Sequence, residues 1–148
     1  MSRKQRIETV KRIMDERRQD ASRALAHRRR LLDEARQRMA ELVGYRDEYA
    51  SKMAESASGF GVQLQDSWRF MARLNSAIDE HRTRIEQHSL AVEQSLRRWC
   101  ETQSDVAVID KVIERLGTME RRVQERGEQR LLDESARVRL LSRFGEEA

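Results

Sequence analysis

Apolar residues recur at every seventh position through the second half of the chain. The row consists of Met71, Ile78, Ile85, Val92, Trp99, Val106 and Ile113. A patchier row begins three residues later and consists of Leu74, Ile109, Leu116 and Val123. Such a repeat keeps one narrow apolar stripe on one face of a long helix, and the stripe needs a partner helix to exclude water. The pattern therefore predicts a coiled coil.

The strongest break in this helical pattern is the segment 56–61, which reads Ser-Ala-Ser-Gly-Phe-Gly. Small residues and two glycines favour a chain reversal. We therefore predict a single coiled-coil domain over residues 1–148, with helix one over about 3–56, a turn over 56–61 and helix two over about 63–143. Two long helices joined by a short loop pack antiparallel. The predicted fold is all-α, a long antiparallel two-helix coiled coil in which helix two extends beyond the hairpin.

Helix one has a less regular apolar face than helix two. Its predicted contacts with helix two are Ile7, Val10, Met14, Ala21, Ala24, Leu25, Leu31, Leu32, Ala35, Met39, Leu42, Val43, Ala50 and Met53. Alanines opposite large residues such as Trp99 would let the two helices approach closely. The run of three arginines at 28–30 is expected to point into solvent.

Composition supports long helices and argues against a compact globular core. The chain has no proline, and charged residues make up 38% against 5% aromatic residues. A proline inside a helix costs about 3 kcal/mol relative to alanine. The net charge is +4, and most of the arginines are interpreted as a solvated helix face with ion pairs at i,i+4 spacing. The sequence therefore gives only a weak indication of nucleic-acid binding, and we expect no nucleic-acid partner.

Enzyme and metal-binding signatures are missing from the sequence. It contains none of the phosphate-binding glycine motifs, no CxxC and no HExxH. His81 and His88 lie two helical turns apart without further ligands, and Cys100 has no base partner at a suitable spacing. We therefore expect no enzyme activity, no catalytic residue, no metal and no cofactor. No signal peptide or apolar run of about 18 residues is found, so we expect a cytoplasmic protein that reaches membranes only through partners.

A second apolar group falls beside the predicted seam, near the turn. Helical periodicity places Tyr45 and Tyr49 one turn apart and on the same side of the predicted hairpin as Phe70. The predicted aromatic patch consists of Leu42, Tyr45, Tyr49, Phe70, Leu74, Ala77 and His81. These residues could instead widen the two-helix core, but Tyr45 lies too far around the helix for that role. We therefore favour a partner-binding site.

These residues carry a resemblance to a known family. Residues 42–49 (LVGYRDEY), the glycine-bearing turn, and the segments 68–71 (WRFM) and 77–81 (AIDEH) resemble the FliJ family of the flagellar type III export apparatus, which is related to YscO-type proteins of injectisomes. The resemblance also covers the length and two-helix plan of the chain. It maps the family's surface for the membrane export gate onto the seven residues of the aromatic patch. Arg38, beside them, stands where an uncharged polar residue is expected.

The resemblance implies a non-enzymatic stalk similar to the central γ subunit of rotary ATPases. Its expected partners are the hexameric export ATPase (FliI), the export gate protein (FlhA) and export chaperones. By this analogy the end with both termini enters the ATPase ring, through Ile7, Val10, Lys11, Arg121, Arg122 and Arg126. Two other readings stay open: a generic coiled-coil scaffold or chaperone-like protein that self-associates, and a helical protein that binds nucleic acid through the arginine run.

Overall fold

The chain forms two long α-helices in the computed structural model, which describes residues 2–56 and 61–146, with side chains for 2–55 and 64–145. Helix α1 spans Arg3–Ser56 and helix α2 spans Gly61–Glu146, and the described ranges contain no strand. The two helices pack against each other in antiparallel order. Ile7, near the start of α1, lines a groove together with Ile113 of α2, whereas Tyr49, near the end of α1, donates a hydrogen bond to Ser67, near the start of α2. The predicted all-α helical hairpin is confirmed. Most of the predicted turn, residues 57–60, lies outside the described residues.

The contacts divide the chain into two compact units. The terminal unit combines Met1–Met14 with Ser104–Ala148, and the central unit is Asp15–Gln103. Each unit contains a stretch of α1 and a stretch of α2. The candidate sites described below each lie within one unit.

A capping box fixes the start of α1. The backbone N–H of Gln5 donates to Ser2 Oγ at 3.2 Å, and the backbone N–H of Ser2 donates to Gln5 Oε1 at 3.1 Å. The first N–H groups of a helix have no partner within the helix, and this reciprocal pair satisfies two donors at once. The Ser-x-x-Gln spacing at 2–5 is the sequence signal that sets this boundary.

The seam of α2 follows the predicted first row closely. All seven of its residues are buried or half-buried, and Ile78 is the most enclosed at 1% exposed. Half-buried polar residues continue the second row at His81, His88, Ser95 and Thr102. Thr102 satisfies its hydroxyl locally by donating to the Trp99 carbonyl oxygen at 2.7 Å. The second heptad row therefore continues through polar residues, which a search for apolar residues alone does not find.

The interior positions of α1 include basic residues. Lys11, Arg18 and Arg46 are half-buried and recur at multiples of seven in register with Leu25, Leu32 and Met39. Long basic side chains bury their aliphatic stems and keep the charge at the surface. Each charge lies near a carboxylate, at 3.0 Å for Lys11–Asp110, 3.5 Å for Arg18–Asp15 and 3.3 Å for Arg46–Asp47. The stems thus complete the contact face of α1.

This arrangement corrects three predicted seam positions on α1. Val10, Ala24 and Ala50 are exposed, with Val10 at 39%. Each lies next to an interior position, at Lys11, Leu25 or Tyr49, and a step of one residue rotates a side chain by about 100°. The prediction considered apolar side chains alone and so missed the basic stems. The arginine run at 28–30 is exposed, as predicted.

The C-terminal part of α2 has no helix beside it in the described structure. Every side chain from 121 to 145 is exposed, and we call this stretch the C-terminal extension. It includes Val123, which was predicted in the seam and is 69% exposed. The reason is length: α1 begins at Arg3, and the groove that Arg3 lines reaches only to Glu120 on α2. The second apolar row therefore ends at Leu116.

Candidate partner-binding site

Three aromatic rings form the centre of the aromatic patch, within the central unit. Tyr45 and Tyr49 lie one turn apart on α1, and Phe70 of α2 packs against both. The Tyr49 and Phe70 ring centroids are 4.7 Å apart and tilted by 59°, whereas the Tyr45 and Phe70 centroids are 6.3 Å apart with an edge-on angle of 76°. Such arrangements contribute about 0.5–1.5 kcal/mol per pair beyond burial. Phe70 therefore contacts both tyrosine rings across the helix pair.

The exposure of the three rings differs, and this decides which of them a partner can reach. Tyr45 is 53% exposed, whereas Tyr49 and Phe70 are half-buried. Tyr49 also donates a part-buried hydrogen bond across the helix pair to Ser67 Oγ at 3.3 Å. Tyr49 was predicted outside the seam, but it lies in line with Leu42 and Ala35 at an interior heptad position. It therefore supports the hairpin, and Tyr45 offers the accessible ring.

Leu74 was predicted both in the second heptad row and on the outer patch. At 9% exposed it fits the row, and its place on the outer patch is corrected. It occupies the second heptad row of α2, which faces α1, and is therefore a core residue. Leu42, Ala77 and His81 are half-buried and lie further along the same two helices. The accessible part of the patch is thus Tyr45 with a half-buried surround.

A small basic groove adjoins the aromatic patch on the same unit. Its volume is about 80 Å³, and it is lined by Leu31, Glu34, Ala35, Arg38, His81, Arg84 and His88. His81 belongs both to this groove and to the patch. Arg84 and His88 were not predicted as site residues. The sequence signal that marks them is spacing, because both lie at helical intervals from Ala77 and His81.

A separate apolar groove lies within the central unit, near the end of α1 and the start of α2. It has a volume of about 280 Å³ and is lined by Ala50, Met53, Ala54, Leu64, Trp68 and Met71. Trp68 is 63% exposed there and Leu64 is 39% exposed. In the sequence, Trp68 is marked only by the family resemblance of the segment 68–71. The groove shows that exposed apolar surface in this unit is not confined to Tyr45.

The terminal unit holds the residues predicted to meet an ATPase ring. Ile7 lines a groove of about 240 Å³ together with Ile113, Leu116 and Gly117 of α2. Val10 is exposed, and Lys11 is bound to Asp110 by an ion pair whose side chains are 43% and 51% exposed. An ion pair this exposed contributes little to stability.

The three predicted arginines of this unit lie on the C-terminal extension. Arg121, Arg122 and Arg126 are all exposed. Arg121 Nε donates a long hydrogen bond of 3.4 Å to the Gly117 carbonyl. The large apolar side chains of the extension are also exposed, including Leu131 at 67%, Val138 at 64% and Leu141 at 67%. The terminal unit therefore presents both charged and apolar surface.

The described side chains form neither a metal-binding cluster nor a membrane-spanning stretch. Within residues 2–55 and 64–145, no three His, Cys, Asp or Glu side chains come close enough together to hold a metal ion. Cys100 is exposed. Neither described helix contains a stretch that is apolar and long enough to cross a lipid bilayer. Three aromatic rings meet at Phe70, and two arginines and two histidines line the neighbouring groove.

Fold and surface together define the class of the molecule as an antiparallel coiled-coil hairpin with exposed candidate binding surfaces. Comparison with known proteins then gives the family. The model of the flagellar FliJ protein family matches residues 3–143, and the chain belongs to the FliJ family. It is 26% identical over 134 residues to the flagellar FliJ proteins of Salmonella typhi and of Escherichia coli (strain K12). Each match covers 88% of this chain and 90% of the relative. The family places the chain among the components of flagellar protein export.

Proposed function

We propose that this protein is a non-enzymatic stalk and adaptor of the flagellar type III export apparatus. The terminal unit contacts the ring of the hexameric export ATPase (FliI), and the central unit contacts the cytoplasmic part of the export gate protein (FlhA). The protein works at the cytoplasmic side of the inner membrane and reaches the membrane through the gate. In this role it resembles the γ subunit of rotary ATPases and assists the export of flagellar substrates, with export chaperones as further partners.

The observation that carries the proposal is the exposure of Tyr45. A tyrosine ring that is 53% exposed gains burial only when a partner covers it. The ring already contacts Phe70 edge-on, and this contact reduces the side-chain freedom that Tyr45 has left to lose on binding. Rigid, partly buried aromatic residues are the side chains that most often dominate binding energy in protein interfaces. The half-buried Leu42, Ala77 and His81 would form the surrounding contact.

The C-terminal extension supports the assignment of the terminal unit to a second partner. Leu131, Val138 and Leu141 recur at helical spacing with 64–67% of each side chain exposed. A long helix with an uncovered apolar row gains stability when another protein covers that row. Arg121, Arg122 and Arg126 add exposed guanidinium groups that pair well with carboxylates. A ring of subunits around this unit would supply both kinds of contact.

The two contacts are tested separately with one pair of variants. Tyr45→Ala should weaken binding to the cytoplasmic part of the gate protein at least 30-fold, which corresponds to about 2 kcal/mol, while binding to the ATPase stays unchanged. Tyr45→Phe keeps the ring and should bind the gate much more tightly than Tyr45→Ala. Equal gate binding by wild type and Tyr45→Ala, at equal thermal stability, would remove Tyr45 from the site.

A generic scaffold that self-associates is the second candidate function. The exposed Trp68 and its apolar groove favour it, because two copies could bury these surfaces against each other. Analytical ultracentrifugation over a range of concentrations separates the two proposals. The adaptor proposal expects a monomer whose mass does not change with concentration. The scaffold proposal expects a dimer that Trp68→Ala dissociates.

A further inference from the structure

The basic groove and the aromatic patch follow one another along the helix pair as one strip, and His81 belongs to both. On α1 the strip runs through Leu31, Ala35, Arg38, Leu42, Tyr45 and Tyr49. On α2 it runs through Phe70, Ala77, His81, Arg84 and His88. Successive residues on each helix are separated by three, four or seven positions, the intervals that keep side chains on one face. At 1.5 Å per residue the strip is roughly 27 Å long.

The far end of this strip is cationic, unlike the aromatic end. Arg38 and Arg84 are exposed and line the groove from opposite helices, and the half-buried His81 and His88 line it as well. Among the described residues, neither guanidinium lies within ion-pair distance of a carboxylate. This contrasts with Lys11, Arg18 and Arg46, whose charges do have such neighbours. The donors of the groove are therefore available to a ligand.

The groove has the chemistry of a carboxylate site on a protein partner. A guanidinium presents a planar fork of N–H donors that matches a carboxylate, and an imidazole offers one N–H even when it is neutral. Glu34 is the single acidic residue in the lining, so two arginines outweigh it. The apolar Leu31 and Ala35 form the remaining wall. A ligand that bridged both ends of the strip would combine an apolar group with an acidic one.

We infer that the protein segment bound at the aromatic patch carries acidic side chains, which the basic groove receives at Arg38 and Arg84. The inference rests on the proposed binding of the gate protein and names the chemistry of the segment that binds. Arg38 lies seven residues from Tyr45 on α1, so the acidic group lies about 10 Å along the strip from the group that covers Tyr45. The charge pairs orient the segment on the strip, and the ring of Tyr45 supplies the apolar contact.

The test compares two double variants with equal loss of charge. In Arg38→Gln/Arg84→Gln both groove arginines are neutral. In the control, Arg36→Gln/Arg97→Gln, the changed arginines are exposed, and neither lies within ion-pair distance of a carboxylate among the described residues. Each lies at least about 140° around its helix axis from the groove arginine on the same helix. Binding to the purified cytoplasmic part of the export gate protein is measured by calorimetry over a series of salt concentrations. Circular dichroism melting curves should match for all three proteins, since exposed sites seldom affect stability.

The groove variant is expected to bind about tenfold more weakly than wild type at low salt, with an affinity that depends less steeply on salt. The control should keep both the wild-type affinity and the wild-type salt dependence, because its charges lie away from the groove. Salt screens the attraction between charges at an interface, so only charges that contact the partner should affect the salt dependence of binding. Tyr45→Ala should lose affinity while keeping the salt dependence. If the groove variant binds like the control, the inference is wrong and the proposed function stands.

Two further results would each overturn the assignment of the groove to an acidic protein segment. If wild type does not bind the gate protein at all, the proposed function fails and takes the inference with it. An anionic membrane is the competing ligand for a cationic groove, and vesicles of equal parts phosphatidylglycerol and phosphatidylcholine test it. Loss of vesicle binding in the groove variant, with gate affinity unchanged, would overturn the inference in favour of a lipid surface.

Discussion

The substitution Ile78→Ala tests the packing of the hairpin most directly, because Ile78 is 1% exposed. The change removes three carbon atoms from the interface between the helices. Transfer free energy of about 0.8 kcal/mol per methylene gives about 2.4 kcal/mol. The cavity left behind adds to this, and the higher helix propensity of alanine subtracts a few tenths. We expect a loss of about 3 kcal/mol in the free energy of unfolding.

Leu90→Ala is the matched control for this experiment. Leu90 lies on the same helix, and its truncation removes the same number of carbons, but its side chain is 58% exposed. Its loss should cost no more than about 0.5 kcal/mol. Urea unfolding followed by circular dichroism gives both values on one scale. A cost for Ile78→Ala below that of Leu90→Ala, or equal to it, would show that the assigned seam does not hold the helices together.

Three further predictions address other parts of the structure. Ser2→Ala breaks the capping box and should cost about 1 kcal/mol locally, seen as faster amide exchange at the start of α1 with little change at Ile78. Lys11→Met keeps the apolar stem and removes only an exposed ion pair, so its melting temperature should match wild type in high salt, and a large loss would mean that the pair with Asp110 is structural. The purified protein should hydrolyse no ATP but should raise the turnover of the export ATPase, and an unchanged turnover in a coupled assay would count against the stalk model.

The sequence was sufficient to predict the α2 seam because its first row is strictly apolar. From Met71 to Ile113 every predicted position of that row is buried or half-buried. The second row was predicted only in part, because His81, His88 and Thr102 fill some of its positions with half-buried polar side chains. A prediction based on apolar residues alone does not include them. The helical period, rather than hydrophobicity, is the signal that finds such residues.

The α1 face could not be predicted from apolar residues alone. Lys11, Arg18 and Arg46 fill interior positions with aliphatic stems, while Val10 and Ala50 face solvent. Which of two adjacent residues faces the partner depends on the rotation of one helix against the other. The sequence of one helix does not contain that rotation. The capping box at Ser2 and Gln5 was not predicted, although its Ser-x-x-Gln spacing is a local signal in the sequence.

The sequence predicted which residues lie near one another in the candidate site, but it did not predict how deeply each of them is buried. Tyr45 is accessible as expected, whereas Leu74 is a core residue and Tyr49 supports the helix pair through Ser67. Helical angles separate residues by direction, but a side chain near the edge of a seam is buried or exposed according to its length and its neighbours. The binding role of the patch stays a prediction.

The central claim is that one molecule connects the export ATPase to the export gate, and a capture experiment tests it most directly. The cytoplasmic part of the gate protein is immobilised, and the purified ATPase is passed over it with and without this protein. The account predicts that the ATPase is retained in larger amount when wild-type protein is present, and that Tyr45→Ala abolishes the increase while still binding the ATPase in solution. Equal retention with and without the protein, although it binds each partner separately, would contradict the adaptor role.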